Sequence, residues 1–169
     1  GLLQTPAFTR FRGEADYLAG PINFAFDKAA DGRDGRQRML RRPGGPHYEV
    51  ILDELAIRRS TAPREVMQAQ LYHIAATVNG SPKISVRVLS VDAQIEGFSM
   101  PRAAFSIYTF SDSDDPTVVA VDTVTDDLVL TEEDHVKRYE ELFNRLRDAA
   151  EPAQDSLEML ITYAQGVRV

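Results

Sequence analysis

Two rhythms of apolar positions alternate along this chain. From Pro6 to Leu18, the residues Phe8, Phe11, Ala15 and Leu18 recur at three- and four-residue steps, which predicts a helix. A second helix is predicted from about Ile22 to Arg41, with a joint at "DGRDG", because Gly32 and Gly35 each cost about 1 kcal/mol against alanine in a helix interior. Pro43-Gly44-Gly45-Pro46 ends it. YEVILD, residues 48 to 53, is short, β-branched and apolar, the pattern of a strand covered on both faces. ELAIRR after it predicts one helical turn. Met67, Leu71, Ile74, Ala75 and Val78 then form the stripe of a clear helix, opened by Pro63 and Glu65 and stopped by Asn79-Gly80-Ser81-Pro82.

In ISVRVL, residues 84 to 89, the period changes to two: Ile84, Val86 and Val88 face one way, Ser85 and Arg87 the other. A strand, a helix and a strand in succession predict a crossover with the two strands parallel. Further strands are predicted at about Ala103–Phe110, Val118–Thr123 and Leu128–Leu130, and their short connections favour antiparallel neighbours. Thr131-Glu132-Glu133-Asp134 reads as an N-cap before a helix with Val136, Tyr139, Phe143, Leu146 and Ala150 on one face. After Pro152 a last helix carries Leu157, Leu160, Ile161 and Ala164. The expected fold is α+β: a mixed sheet of about five strands, one parallel β-α-β crossover and then antiparallel strands, packed by four or five helices.

At 169 residues the chain has the length of one ordinary domain, and residues 1–169 are read as a single regulatory body. A fold of that size buries roughly 70% of the surface of its unfolded chain, so a core forms without disulfides or metals. There is no cysteine, which removes disulfide scaffolds, thiolate metal sites and cysteine nucleophiles and fits a reducing cytoplasm. No apolar run approaches the roughly 20 residues of a membrane span. The formal net charge of −7 matters for partners. Nucleic-acid affinity comes mostly from cations that replace counterions around phosphates, so these residues by themselves are not expected to hold DNA.

Candidate chemistry is sparse. His47 lies in a Gly/Pro loop, His73 on a helix flank and His135 at an acidic helix start. Glu132 and His135 have the spacing of a carboxylate-bridged metal site, but the second such pair is missing, and no metal or cofactor is expected. No nucleophile elbow and no phosphate-cradling glycine loop occurs. Two features stand out. Arg33, Arg36, Arg38, Arg41 and Arg42 crowd one stretch, either as cations near a helix C-terminus or as a patch for an acidic partner or anionic ligand. Asp53-Glu54 ends the strand YEVILD, with Arg58 and Arg59 one turn on. That is either an Asp–Arg pair capping a strand end or the lining of the crevice where ligands bind at the carboxyl ends of parallel strands.

The chain also resembles a known family. GLLQTPAFTR is similar to the "PGLLQT" opening of a domain of unknown function that follows an XRE-type helix-turn-helix in many actinobacterial regulators. The resemblance continues through Arg36-Gln37-Arg38, VILDELAIRR (50 to 59), EVMQAQLYHI (65 to 74), VRVLSV (86 to 91), AVDTVTDDLVL (120 to 130) and the VKRYEELFNRLRDAA helix. "ADGRDG" and SVDAQIEG depart from it. The resemblance implies an antitoxin-like regulator often encoded beside a small partner protein, with DNA bound only through an N-terminal helix-turn-helix domain not included here. It implies no catalytic residue.

The function expected is therefore a non-enzymatic, cytoplasmic regulatory module that senses a small ligand or a small partner protein. Its candidate site is formed by Asp53, Glu54 and Arg58, with Gln37 and Arg38 approaching from the second helix. One alternative is a dimerisation or docking module, with Tyr139, Phe143, Leu157, Leu160 and Ile161 as a self-association face if they do not pack on the module's own sheet. The other is a metal-dependent hydrolase acting through Asp53, Glu54 or Asp122.

Overall fold

The computed structural model describes residues 2–18, 35–40, 42–112, 114–123 and 127–166. Most of the second expected helix, the first four residues of its "DGRDG" joint with Arg33 among them, and Arg41 lie outside the described residues, while Gly35 is helical. The chain divides into two compact units, Gly1–Val91 with Glu151–Val169, and Asp92–Ala150.

In the first unit, Thr5 Oγ1 accepts a hydrogen bond from the Phe8 amide at 3.2 Å and Pro6 takes the first helical position, so α1 (Pro6–Leu18) starts where expected. Phe11 of its expected stripe is 36% exposed, and the buried anchor here is Leu3, in the segment before the helix. Residues 35–40 are helical (α2). Gly45 packs against the carbonyls that α2 leaves open. A Cβ there would stand 2.6 Å from the Met39 oxygen, which is why the break after this helix carries a glycine.

The crossover is as expected. β1 (Tyr48–Asp53) pairs in parallel with β2 (Ile84–Leu89), from Tyr48 opposite Ile84 to Asp53 opposite Leu89. Between them run the short helix α3 (Glu54–Arg58) and α4 (Arg64–Asn79). Ile84, Val86 and Val88 are buried with Leu71 and Ile74 of α4 and Leu160 and Ala164 of the last helix, α6 (Ala153–Ala164). A two-stranded sheet leaves open edges, and α6 closes the one at β2. The Val88 carbonyl accepts from the Glu151 amide at 2.9 Å, and the Val88 amide donates to Ser156 Oγ at 2.8 Å. Ser156 is fully buried and its hydroxyl donates in turn to the Glu151 carbonyl at 3.2 Å. The Val88 amide and carbonyl and the Ser156 hydroxyl, taken from water, thus each have a partner.

The second unit holds an antiparallel sheet in the order β3 (Phe105–Tyr108), β4 (Val118–Asp122), β5 (Asp127–Leu130), and then α5 (Glu133–Ala149). The five expected strands are thus shared between two sheets. Val119, Val121 and Val136 form this unit's core, and the rings of Phe105 and Tyr139 meet at 5.0 Å between centroids. β3 is shorter than expected, because its pairing with β4 runs only from Phe105 opposite Val121 to Tyr108 opposite Val118. The expected N-cap is also revised. Glu132 occupies the cap position without a side-chain bond, and Glu133 and Asp134 act only through their charge in the first turn. Leu157 and Leu160 are buried in the first unit and Tyr139 packs on Phe105 in the second, so those residues of the expected self-association face serve the module's own cores. Among the described residues no helix is long and apolar enough to cross a membrane.

Candidate functional site at the end of the parallel strands

β1 ends by turning directly into α3. Asp53 has extended backbone angles, and its Oδ1 accepts from the Leu55 amide at 2.8 Å, so it is the N-cap of α3. That role aims the next side chain inward. Glu54 is only 4% exposed, and both of its carboxylate oxygens are engaged. Oε1 accepts from Arg58 at 3.2 Å, one helical turn on, and from the hydroxyl of Tyr163 on α6. Oε2 accepts from the Val91 amide, just beyond β2, at 2.7 Å. The Arg58 guanidinium also lies 5.9 Å from the centre of the Tyr163 ring. One buried acid therefore ties the ends of β1 and β2 to the last turn of α6.

Electrostatics follow from this arrangement. Burial pushes the Glu54 carboxyl upward, but hydrogen bonds from Tyr163 and Val91, the Arg58 charge and a bond from Ser90 outweigh it and hold the group below its ordinary 4.5. Burial and the Glu54 carboxylate together raise Tyr163 above 10.0. The sign of each linkage is definite. Glu54, lowered in the fold, contributes stability above the ordinary carboxylate value that is lost as pH falls through its folded value. Tyr163, raised, contributes stability below 10.0 that is lost as pH rises through its folded value. Thermal unfolding followed against pH at NMR resonances of β2 and α6 should show both limbs, and Glu54→Gln should flatten the acid one; an unchanged acid limb in that variant would remove Glu54 as its source.

The structure brings together Glu54 and Arg58 of the expected site. The capping pair is not Asp53–Arg58: Asp53 caps the helix, and the arginine's partner is Glu54. Arg38 is exposed. Gln37 does not approach this end of the strands. Its Nε2 donates to the Leu2 and Gln4 carbonyls at 2.8 and 2.9 Å. Gln70, buried on α4, completes the clasp: Nε2 donates to the Leu3 carbonyl and Oε1 accepts from the Thr5 amide, both at 2.7 Å. Gln37 borders a cavity of about 10 Å³ with Ile84, the first residue of β2, whereas Asp53 stands opposite Leu89, the last. Five strand steps, roughly 16 Å, separate those two ends.

Sequence reasoning missed Tyr163, Gln70 and Ser156. For two of them a signal was present: Gln70 falls four residues before Ile74, and Ser156 four before Leu160, so each puts a polar group on an apolar helix face. Among the described residues, no three of the His, Asp and Glu side chains gather as metal ligands would. Glu132 and His135 pair with each other at 3.3 Å on the surface.

Over residues 1–162 the chain matches the model of a family described as Domain of unknown function (DUF5753), and it belongs to that family. No curated protein and no solved structure matches it.

Proposed function

We propose that this DUF5753 domain is a non-enzymatic, cytoplasmic regulatory module of a helix-turn-helix transcriptional regulator. It senses a small ligand or a small partner protein and changes the DNA affinity of a separate helix-turn-helix domain. The collinear resemblance described above supports the regulator setting, and the net charge of −7 supports placing DNA contact elsewhere.

The observation that carries the reading is the state of Glu54. A general acid or base needs a proton to give or an open lone pair near its working pH. Glu54 has its oxygens occupied from within the protein and its carboxyl held in the ionised form. What it is built for is connection. The Arg58 side chain is 39% exposed and flanks this hub, so a molecule that engages Arg58 from outside shifts the balance of bonds on Glu54 and through it the seating of α6. A signal switches the regulator only by binding two such states with affinities a few kcal/mol apart.

A protein partner is favoured over a metabolite. Leu55 and Val91, on either side of the hub, are each 47% exposed and offer apolar surface at the rim rather than an enclosed pocket. In the intact regulator, Leu55→Asp and Arg58→Ala should each abolish co-purification with a small partner protein of the kind the resemblance implies, while the unit that holds them stays folded by hydrogen exchange. Undiminished co-purification in both variants would overturn this placement of the contact.

A further inference from the structure

The charge of this chain is not evenly shared. Residues 92–150 hold 14 acidic and five basic side chains, a formal −9, while the other unit holds 12 acidic and 14 basic, a formal +2. Within each unit the excess is local. In the antiparallel sheet, Tyr108 stands opposite Val118 and Val119 opposite Leu130, so the β3–β4 loop and the start of α5 lie at the same end. That end carries Asp112, Asp114 and Asp115 from the loop and Glu132, Glu133 and Asp134 from the helix start, all exposed. Among them Tyr108 and Phe110 are 45% and 52% exposed.

The complementary surface is on the first unit. Arg36 and Arg38 on α2 and Arg42 just after it are exposed, and no acidic side chain of the described residues pairs with them. Met39 lies between them, 49% exposed. The helix-terminus explanation of these cations accounts for their sign but not for the exposed methionine in their midst. Each set combines exposed apolar side chains with charged ones, as association surfaces do. Neither alone would identify a partner; the two together do, because each supplies what the other lacks.

We propose that the acidic, aromatic end of residues 92–150 docks on the α2 arginine row of a second copy of this chain. Both copies carry a net −7, yet at physiological ionic strength charges are screened over about 8 Å, so the local patches outweigh the molecular totals at contact range. A contact built from one loop, one helix start and a short helix belongs with the small interfaces, about 1,200 Å² or less, so the association is weak and salt-dependent. This inference rests on charge and exposure and is independent of the regulator reading.

Sedimentation velocity of the full chain tests it. Association should rise with concentration at about 0.05 M salt and vanish at about 0.5 M. Reversing the row with Arg36→Glu, Arg38→Glu and Arg42→Glu should weaken it at least about tenfold, and so should Asp112→Lys, Asp114→Lys and Asp115→Lys. All six positions are exposed, so far-UV circular dichroism should be unchanged in both variants. Mixing the two reversed chains restores both contacts, one native and one charge-swapped, and should restore association. A monomer at every concentration, or association indifferent to both reversals, would overturn the proposal.

Discussion

Leu160→Ala lowers the stability of the unit built from residues 1–91 and 151–169 by about 2.5–5 kcal/mol. Leu160 is 1% exposed, and it packs in the cluster formed by β1, β2 and α4. Its neighbour one turn on, Ala164, is fully buried and too small to fill the space a truncated leucine would leave. The lost transfer energy and the residual cavity therefore add. The loss is a large share of the 5–15 kcal/mol typical of a whole domain. Because the chain has two units, a single unfolding midpoint is the wrong readout. Hydrogen exchange on peptides from β2 and α4 isolates the effect, with peptides from β4 as the internal control. A loss under about 1 kcal/mol would mean that α6 is not seated on β2 as described.

Glu54→Ala comes next, at about 2–4 kcal/mol. The substitution leaves the Val91 amide without its acceptor and the Tyr163 hydroxyl without its partner. Hydrogen bonds to a charged group contribute about 1.5–3 kcal/mol, and a buried donor left unsatisfied costs its full desolvation. The Arg58 contribution is smaller, because its side chain is 39% exposed and solvent screens the pair to roughly 1 kcal/mol or less. The order of effects is thus Glu54→Ala, then Tyr163→Phe, then Arg58→Ala. Urea denaturation followed by hydrogen exchange on peptides that span residue 163 ranks them. If Arg58→Ala proved the most damaging of the three, the hub would be an ion pair rather than a hydrogen-bonded junction. A double substitution at Glu54 and Tyr163 should cost less than the two singles added, since they share one bond.

The site was half legible. Asp53, Glu54 and Arg58 stand out because acids at the end of a strand and a cation one turn later are local patterns. Which acid turned inward was not local. It followed from Asp53 taking the cap, which rotates Glu54 toward the core, and from Tyr163, 109 residues later in the chain. Gln37 was misplaced for the same reason. Its helix is near β1 in sequence, but its amide is spent on the backbone of Leu2 and Gln4 at the other end of the strands.

What the sequence by itself determined is the set of elements: α1, β1, α4, β2, the three later strands and both C-terminal helices lie where the apolar period places them, apart from a shorter β3, and the helical turn expected of ELAIRR is α3. Periodicity is a property of neighbouring residues, so it survives without knowledge of the fold. The tertiary structure alone decided how the strands were shared between two sheets, which helix closed the β2 edge, and which polar side chains were buried. Those outcomes depend on buried donors and acceptors such as Gln70, Ser156 and Glu54 finding partners far along the chain, and residue spacing carries no information about that pairing.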